Sequence, residues 1–164
     1  MAHADSPPAG ELTETELGAW RGLLRVHSAL VKALDSELEA AHGLPLSSYE
    51  VLVSLRTAPE GKLRMADLAD RALLSRSGMT RLVDRLEREG LLARRQCSAD
   101  ARGCYAALTE AGAAFLDRAR PTHLAGVREK FLRHFAEDEL EQLAEWWDRV
   151  LPGAAGAGSQ PPRT

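Results

Sequence analysis

Hydroxyl and guanidinium side chains crowd the segment from residue 75 to residue 95. A guanidinium can donate two hydrogen bonds to the O6 and N7 atoms of guanine, and a Ser or Thr hydroxyl can bond several base edges. The first part of the segment carries the residues that we predict to contact DNA bases: Ser75, Arg76, Ser77, Thr80 and Arg81. Contacts to phosphates need less exact geometry than contacts to base edges. We predict that the later arginines of the segment bind phosphates: Arg85, Arg88, Arg94 and Arg95. A run of charged residues is more often a solvated helix face than a DNA-binding surface. The secondary structure predicted around these side chains must therefore decide between the two interpretations.

Two short helical patterns, separated by a tight break, hold these side chains. Leu68 and Ala69 share one face of a short helix predicted from Met65 to Arg71. The chain breaks at residues 73 to 75, and a second helix follows with Ser75 as its N-cap and Gly90 at its end. Apolar residues recur along it at intervals of three and four and predict a buried stripe: Met79, Leu82, Val83 and Leu86. The polar residues lie on the opposite face, so the pattern predicts a helix-turn-helix.

Two β-prone runs follow the second helix, around a polar loop from Ser98 to Gly103. Because Ser, Asp and Gly favour turns, these runs predict a β-hairpin. A third short strand is predicted at residues 62–64, before the first of the two helices. The predicted fold class is therefore mainly α with a small β-hairpin wing, a winged helix-turn-helix between longer flanking helices.

The runs SRSGMTRLVDRLEREGLLARR and DARGCYAALTEAG resemble the MarR family of bacterial transcriptional regulators, and the similarity extends over roughly residues 11 to 151. Its most specific part is the wing, an Asp-x-Arg in the turn followed by Leu-Thr-x-x-Gly. This chain matches that motif at Asp100, Arg102, Leu108, Thr109 and Gly112. The resemblance implies that Arg102 lies at the wing tip, reaches into the DNA minor groove and is oriented by Asp100. A narrow, A/T-rich minor groove concentrates negative potential and attracts such a side chain.

The charge of the chain is distributed unevenly. The formal net charge is -3, which by itself is unfavourable for binding a polyanion. Residues 62–105 hold ten Lys or Arg and six Asp or Glu, a balance of +4, so the remainder carries -7. The predicted winged helix-turn-helix can therefore present a local positive surface to phosphates.

Long helices are predicted on both sides of this core. Thr13 and Glu16 form a capping box at the start of a helix that runs to about residue 41. Ser47 and Glu50 predict a second capping box at the start of the next helix. After the wing, a helix capped by Thr109 is expected to kink or restart at Pro121, and a last helix covers roughly residues 138–151.

The first and last helices carry more apolar surface than one small core needs. A stripe of apolar residues follows the first helix, and the last helix contains both Trp146 and Trp147. We therefore predict a homodimer, as the resemblance also implies. The predicted organisation is a disordered N-terminus at 1–10, one domain at 11–151 and a flexible tail at 152–164. Within the domain, 62–108 is the winged helix-turn-helix core, and 11–41 and 110–151 are dimerisation helices.

The resemblance implies a cytoplasmic dimer that binds a pseudo-palindromic operator in double-stranded DNA, with half-sites roughly 34 Å apart. Repression is the family's commoner mode, and relatives often release DNA when a small molecule, frequently phenolic or anionic, binds near the dimerisation helices. Three residues are candidates for contacting such a ligand: Trp20, His27 and Tyr49. Trp20 together with Arg94 or Arg95 is similar in outline to the urate site of some relatives.

Other functions stay open at this point. Cys97 and Cys104 bracket the wing loop, and a redox-responsive regulator results if they face each other across the hairpin. A winged helix can also serve as a protein-interaction module that never binds DNA. The chain has no G-x-S-x-G, P-loop, H-E-x-x-H or paired-cysteine zinc pattern, so we expect no enzyme, metal site or cofactor. No run of about eighteen apolar residues is present, so we expect no membrane span.

Overall fold

The structure, a computed structural model, describes residues 10–71, 76–97 and 100–155, without the side chains of residues 70, 76, 96, 97 and 100–103. Within these ranges the chain is mainly helical and carries one small antiparallel sheet. The helices are α1 (Glu14–His42), α2 (Leu46–Thr57), α3 (Met65–Arg71), α4 (Arg76–Arg88), α5 (Glu110–Lys130) and α6 (Glu137–Val150), with short 3-10 turns at Pro59–Gly61 and Leu132–His134. The strands are β1 (Lys62–Arg64), β2 (Leu92–Cys97) and β3 (Asp100–Leu108).

The sheet has the strand order β1-β3-β2, so the predicted third strand is confirmed. Leu63 of β1 and Arg94 of β2 both lie opposite Ala106 at the centre of β3. Leu63 and Ala106 are buried against the helices. Side chains alternate between the faces of a strand, so the neighbouring row of Arg64, Tyr105 and Arg95 lies on the outer face of the wing.

The wing hairpin is longer than its sequence indicated. Residues 100–103, which were predicted in the loop, lie in β3. The register pairs Cys104 with Gln96, and a shift between Gln96 and Cys97 then pairs Cys97 with Asp100. The prediction that the two cysteines face each other across the hairpin is therefore wrong.

The core is centred on α2, α4 and the inner face of the sheet. The apolar stripe predicted for α4 is buried, with Met79 at 1% exposure and Val83 at 0%. Leu68 and Ala69 of α3 are also buried, which confirms the apolar face predicted for that helix. The break predicted at residues 73 to 75 lies outside the described residues. Other elements supply the remaining large side chains that are fully buried: Leu38, Val51, Leu52, Leu55, Leu92 and Leu116.

Of the two capping boxes predicted at helix starts, the structure contains the one at α1 and not the one at α2. The capping box of Thr13 and Glu16 forms as predicted. The box predicted for α2 is wrong, since Pro45 is the N-cap and Ser47 already lies in the first turn. A carboxylate from another helix caps α2 instead, because Asp35 Oδ1 of α1 accepts the Leu46 N–H at 2.8 Å. Asp35, eleven residues before Leu46 in the sequence, therefore takes the capping role that was predicted for Ser47.

Helix α5 is continuous through Pro121, so the helix does not restart there. The predicted disordered N-terminus and flexible tail lie mostly outside the described residues, at 1–9 and 156–164. Among the described residues, none of the helices combines the length and the apolar character that crossing a membrane requires.

The Leu-Thr-x-x-Gly motif joins the wing to α5 and to the end of α4. The Thr109 hydroxyl accepts the Gly112 N–H at 3.0 Å and donates to the Gly90 carbonyl at 2.7 Å. This arrangement brings the start of α5 against Leu91. A Cβ atom at Gly112 would lie 2.0 Å from the Leu91 carbonyl oxygen and 2.8 Å from Leu108 Cδ1. The motif therefore needs a glycine for close packing.

The substitution Gly112→Ala is expected to lower the free energy of unfolding by about 1–3 kcal/mol, because backbone has to move to admit the methyl group. Denaturant unfolding at a fixed protein concentration measures the change. Gly18→Ala is the control, since the described atoms leave its Cβ position open within 4 Å. That variant should gain up to about 1 kcal/mol from helix propensity. Equal effects of the two substitutions would contradict the close-packing argument.

Candidate nucleic-acid interface

Helix α4 is held at its C-terminal end by its own backbone. Gly90 has a φ of 74°, and the Leu91 N–H donates to the Leu86 carbonyl at 2.9 Å, while the Gly90 N–H donates to the Glu87 carbonyl at 3.0 Å. These two bonds make a Schellman motif, which turns the chain sharply into β2. The orientation of α4 relative to the wing is thereby fixed.

The exposed face of α4 brings together several of the predicted DNA-binding residues. Ser77 and Arg81 are four residues apart and share that face, with Thr80 beside them. Arg88 is exposed two turns further along, near the end of the helix. Ser75 lies outside the described residues. Arg76 belongs to α4, and Asp100 and Arg102 belong to β3, but their side chains are outside what the structure describes.

Arg94 points toward α4 and holds the wing against it. Its guanidinium donates to Asp84 Oδ1 at 2.5 Å and to Glu87 Oε2 at 2.9 Å, and its N–H donates to Glu87 Oε1 at 2.8 Å. The hydrogen bond to Asp84, reinforced by Glu87, raises the pKa of Arg94 above its ordinary value. This residue, predicted to bind phosphate, is engaged by carboxylates of its own chain.

Arg85 also points inward. Its Nη2 donates to the hydroxyl of Ser48 on α2 at 2.5 Å, and its Nε is buried with no hydrogen-bond partner among the described residues. Arg85 flanks the apolar stripe of α4, three residues after Leu82. The structure therefore separates Arg85 from the exposed arginines with which the sequence grouped it.

The outer face of the wing carries a basic row that the sequence analysis did not identify. Arg64 Nε donates to the Tyr105 hydroxyl at 3.1 Å, and its guanidinium lies 5.3 Å from the centre of the Tyr105 ring. Arg95 occupies the position opposite Tyr105 on the other neighbouring strand and is exposed. Strand alternation could have indicated this row, but only after the register was known.

The predicted ligand-binding residues do not share one environment. Trp20 and His27 are exposed on α1, whereas Tyr49 is buried. The Tyr49 ring lies 4.6 Å from that of His123 on α5, measured between centroids. The sequence analysis missed His123, since no local pattern links it to α2.

The contact between Tyr49 and His123 leaves one buried nitrogen without a hydrogen-bond partner among the described residues. His123 Nδ1 is buried and finds no hydrogen-bond partner within the described part of the chain. Burial lowers the pKa of His123, so its ring is neutral near pH 7. Burial also raises the pKa of Tyr49, and the positive charges of Arg120 and Arg56 partly offset that rise. Within the described residues, no group of three or more His, Cys, Asp or Glu side chains could hold a metal ion.

Comparison with known proteins gives consistent results. Residues 42–103 match a family model described as MarR family. The HTH-type transcriptional regulator YkoM of Bacillus subtilis (strain 168) is 31% identical over 150 residues, which cover 90% of this chain and 92% of that protein. AbsC, a MarR family transcriptional regulator from Streptomyces coelicolor, superposes with a TM-score of 0.80 at 33% identity, covering 90% of this chain and 99% of that one. Sco3205, a MarR family regulator from the same organism solved in complex with DNA, gives a TM-score of 0.80 at 33% identity, covering 92% and 95%.

Proposed function

The chain belongs to the MarR family of DNA-binding transcriptional regulators, and on that premise we propose that it is a homodimeric repressor of a pseudo-palindromic operator, released by a small phenolic or anionic ligand. The observation that carries the proposal is the exposed polar face of α4. The apolar stripe on the other side of α4 is buried in the core, so the polar face points outward, next to the wing. Sco3205, which this chain resembles along most of its length, was solved with DNA. Repression follows when a protein dimer occupies the DNA that a polymerase needs.

Support for a dimer comes from the apolar surface left exposed by a single chain. Leu38 is the only residue of α1 buried within the protomer, although α1 spans 29 residues, every one of which the structure describes. On α1, Trp20 is 53% exposed and Leu24 is 48% exposed. All of α6 is described as well, and none of its residues is buried, with Trp146 at 45% exposure. Helices of this length with unburied apolar faces are stabilised by packing against a partner.

We assign the DNA contacts by geometry and residue type. Ser77, Thr80 and Arg81 are suited to reading base edges in the major groove. We retain Arg76 and Ser75 as base contacts from their place in the sequence, immediately before Ser77. Arg88 and Arg95, both exposed, are suited to phosphates. We retain Arg102 for the minor groove, with Asp100 orienting it. Arg85 and Arg94 are reassigned to holding α4 in place, since their guanidiniums are bonded within the chain.

Adjacent arginines should therefore give opposite results on substitution. Arg94→Met is expected to lower the free energy of unfolding by about 1 kcal/mol, because it removes the bonds to Asp84 and Glu87. Arg95→Met should leave stability within about 0.5 kcal/mol, yet make the slope of log K against log salt less negative by about two, because the dimer loses one phosphate contact in each protomer. Denaturant unfolding and DNA titrations at several salt concentrations measure the two quantities. A reversal of the two patterns would show that the assignments are exchanged.

The Tyr49 and His123 contact supports the ligand proposal. A small phenolic or carboxylated aromatic molecule could stack on these rings, take the unpartnered Nδ1 as a hydrogen-bond partner and place its negative charge toward Arg120 or Arg56. Trp20 and His27, on the exposed part of α1, could contribute only if the partner chain covers them. Such a ligand releases DNA only to the extent that it prefers the DNA-free geometry.

Selection from a randomised duplex library tests the proposal without knowledge of the operator. Purified protein should enrich a pseudo-palindrome of about twenty base pairs, matching two half-sites one helical turn apart. Affinity for the enriched duplex should fall steeply as salt rises and should exceed affinity for random duplex. Failure to bind any duplex at low salt would instead favour a winged helix that serves as a protein-interaction module.

A further inference from the structure

The first turn of α2 contacts three other helices through residues 46, 48 and 49. Its Leu46 N–H is capped by Asp35 of α1 at 2.8 Å. Ser48 accepts a hydrogen bond from Arg85 of α4 at 2.5 Å. Tyr49, the next residue, packs its ring on His123 of α5 at 4.6 Å. Any displacement of this turn therefore reaches α1, α4 and α5 together.

The contact between Arg85 and Ser48 is unusual in its chemistry. Ser48 is fully buried, at 0% exposure, and it is the only polar residue among those counted as buried within the described chain. The Arg85 guanidinium rests on a single neutral hydroxyl, while its Nε is buried without a partner in the described part of the chain. A buried charged donor that lacks an acceptor costs free energy. The position of Arg85 is therefore sensitive to where Ser48 lies.

The Ser48 hydroxyl follows the α2 backbone closely. A serine side chain has one heavy-atom torsion, and full burial leaves it little room to compensate for a backbone shift. Successive helical residues point about 100° apart, so one turn of α2 directs Ser48 toward α4 and Tyr49 toward α5. A rigid shift of that turn changes both contacts at once.

We infer that Arg85 is a positioning residue that couples the Tyr49 and His123 contact to the orientation of the recognition helix α4. This inference rests on the proposed function for its biological meaning, since it explains how a ligand at Tyr49 alters DNA binding. Because coupling free energies between two sites are reciprocal, a ligand at Tyr49 and DNA at α4 must change each other's affinity by the same factor, and we expect DNA bound at α4 to perturb the surroundings of His123. Arg85 thus acts through α4 and touches neither ligand nor DNA.

The first test uses the DNA-free protein and the His123 ring as a reporter. Proteins labelled with ¹³C-histidine are compared by NMR, and His123→Gln assigns the His123 signal. Arg85→Met removes the donors and keeps a long side chain in the partly buried position, so it should shift the His123 ring signal. Arg85→Lys keeps a donor and should restore it toward the wild-type position. Arg88→Met, an exposed arginine one turn along α4, is the control and should leave the signal in place.

The second test adds the duplex enriched by selection. Saturating DNA should shift the His123 signal in the wild-type protein, and that shift should be lost in Arg85→Met. We expect the affinity of Arg85→Met for the duplex to fall by about 5-fold, the lower end of ordinary coupling between sites. Arg85→Lys should recover most of both effects.

The outcomes separate the inference from the proposed function. An unchanged His123 signal in DNA-free Arg85→Met would overturn the inference, and so would a DNA-induced shift that persists undiminished in that variant. Failure of the wild-type protein to bind any duplex would overturn the proposed function. In that case the DNA-free comparison still decides whether Arg85 couples α4 to His123.

Discussion

Replacing Arg81 by alanine is expected to weaken binding to the selected duplex by roughly 5- to 150-fold at each of the two half-sites, the equivalent of the 1–3 kcal/mol that one bidentate contact to guanine contributes. The side chain is exposed on the polar face of α4, beside Ser77 and Thr80. Its loss removes base recognition without disturbing the buried stripe on the other side. Fluorescence anisotropy titrations with the selected duplex and with random duplex, at one fixed salt concentration, measure the two affinities.

The comparison between the two duplexes identifies the kind of contact. A base-reading arginine contributes to the selected duplex alone, so Arg81→Ala should reduce the ratio of the two affinities. Arg88→Ala is the matched control on the same helix, and it should weaken both duplexes by similar factors because phosphates are common to both. Equal loss on both duplexes in Arg81→Ala would reassign Arg81 to phosphate contact.

Much of this architecture could be predicted because it rests on local patterns. The stripe of α4 recurs every three or four residues, and burial follows from that spacing alone. The capping box of Thr13 joins residues only three apart. The third strand at Lys62–Arg64 follows from its place before the helix-turn-helix. Each of these features depends on neighbours in sequence, so one sequence was enough.

The remaining features depend on contacts between distant residues. Arg81 and Arg85 are the same residue type one turn apart, yet one is exposed and the other bonds Ser48, 37 positions away. Because they are four residues apart, the two side chains point only about 40° apart around the axis of α4, so only the position of α2 distinguishes them. Similarly, the capping box predicted for α2 fails because Asp35 of α1 satisfies the first turn. Whether a polar side chain is exposed or bonded within the chain therefore depends on tertiary structure, and the residue type alone does not determine it.

The wing shows a related limit. A turn composition of Ser, Asp and Gly predicted a loop through residue 103, but strand pairing extends β3 back to Asp100. Cys104 lies opposite Gln96 in the regular register, and Cys97 lies opposite Asp100 beyond the shift, so the two cysteines that sequence distance alone had paired are not partners. A shift of one residue moves a side chain to the opposite face. Predictions that depend on strand register therefore need the structure.

A double substitution on α1, Leu24→Lys with Val31→Lys, is expected to dissociate the dimer and to reduce operator affinity by at least about 100-fold. The two positions lie seven residues apart on one face and are 48% and 40% exposed in the single chain. In a twofold interface each substitution occurs twice, so four charges enter an apolar contact. Sedimentation velocity measures the oligomeric state, and anisotropy measures the affinity.

The matched control is Ala29→Lys with Ser36→Lys, two exposed positions on the opposite side of α1. It adds the same charge and should leave the dimer intact. The double variant at Leu24 and Val31 should keep its fold, since the core around α2 and α4 contains neither side chain. A monomer still offers one α4 to one half-site, so residual binding should follow the salt with about half the slope of the dimer, because half the phosphate contacts remain. A persistent dimer with unchanged affinity would exclude this face of α1 from the interface.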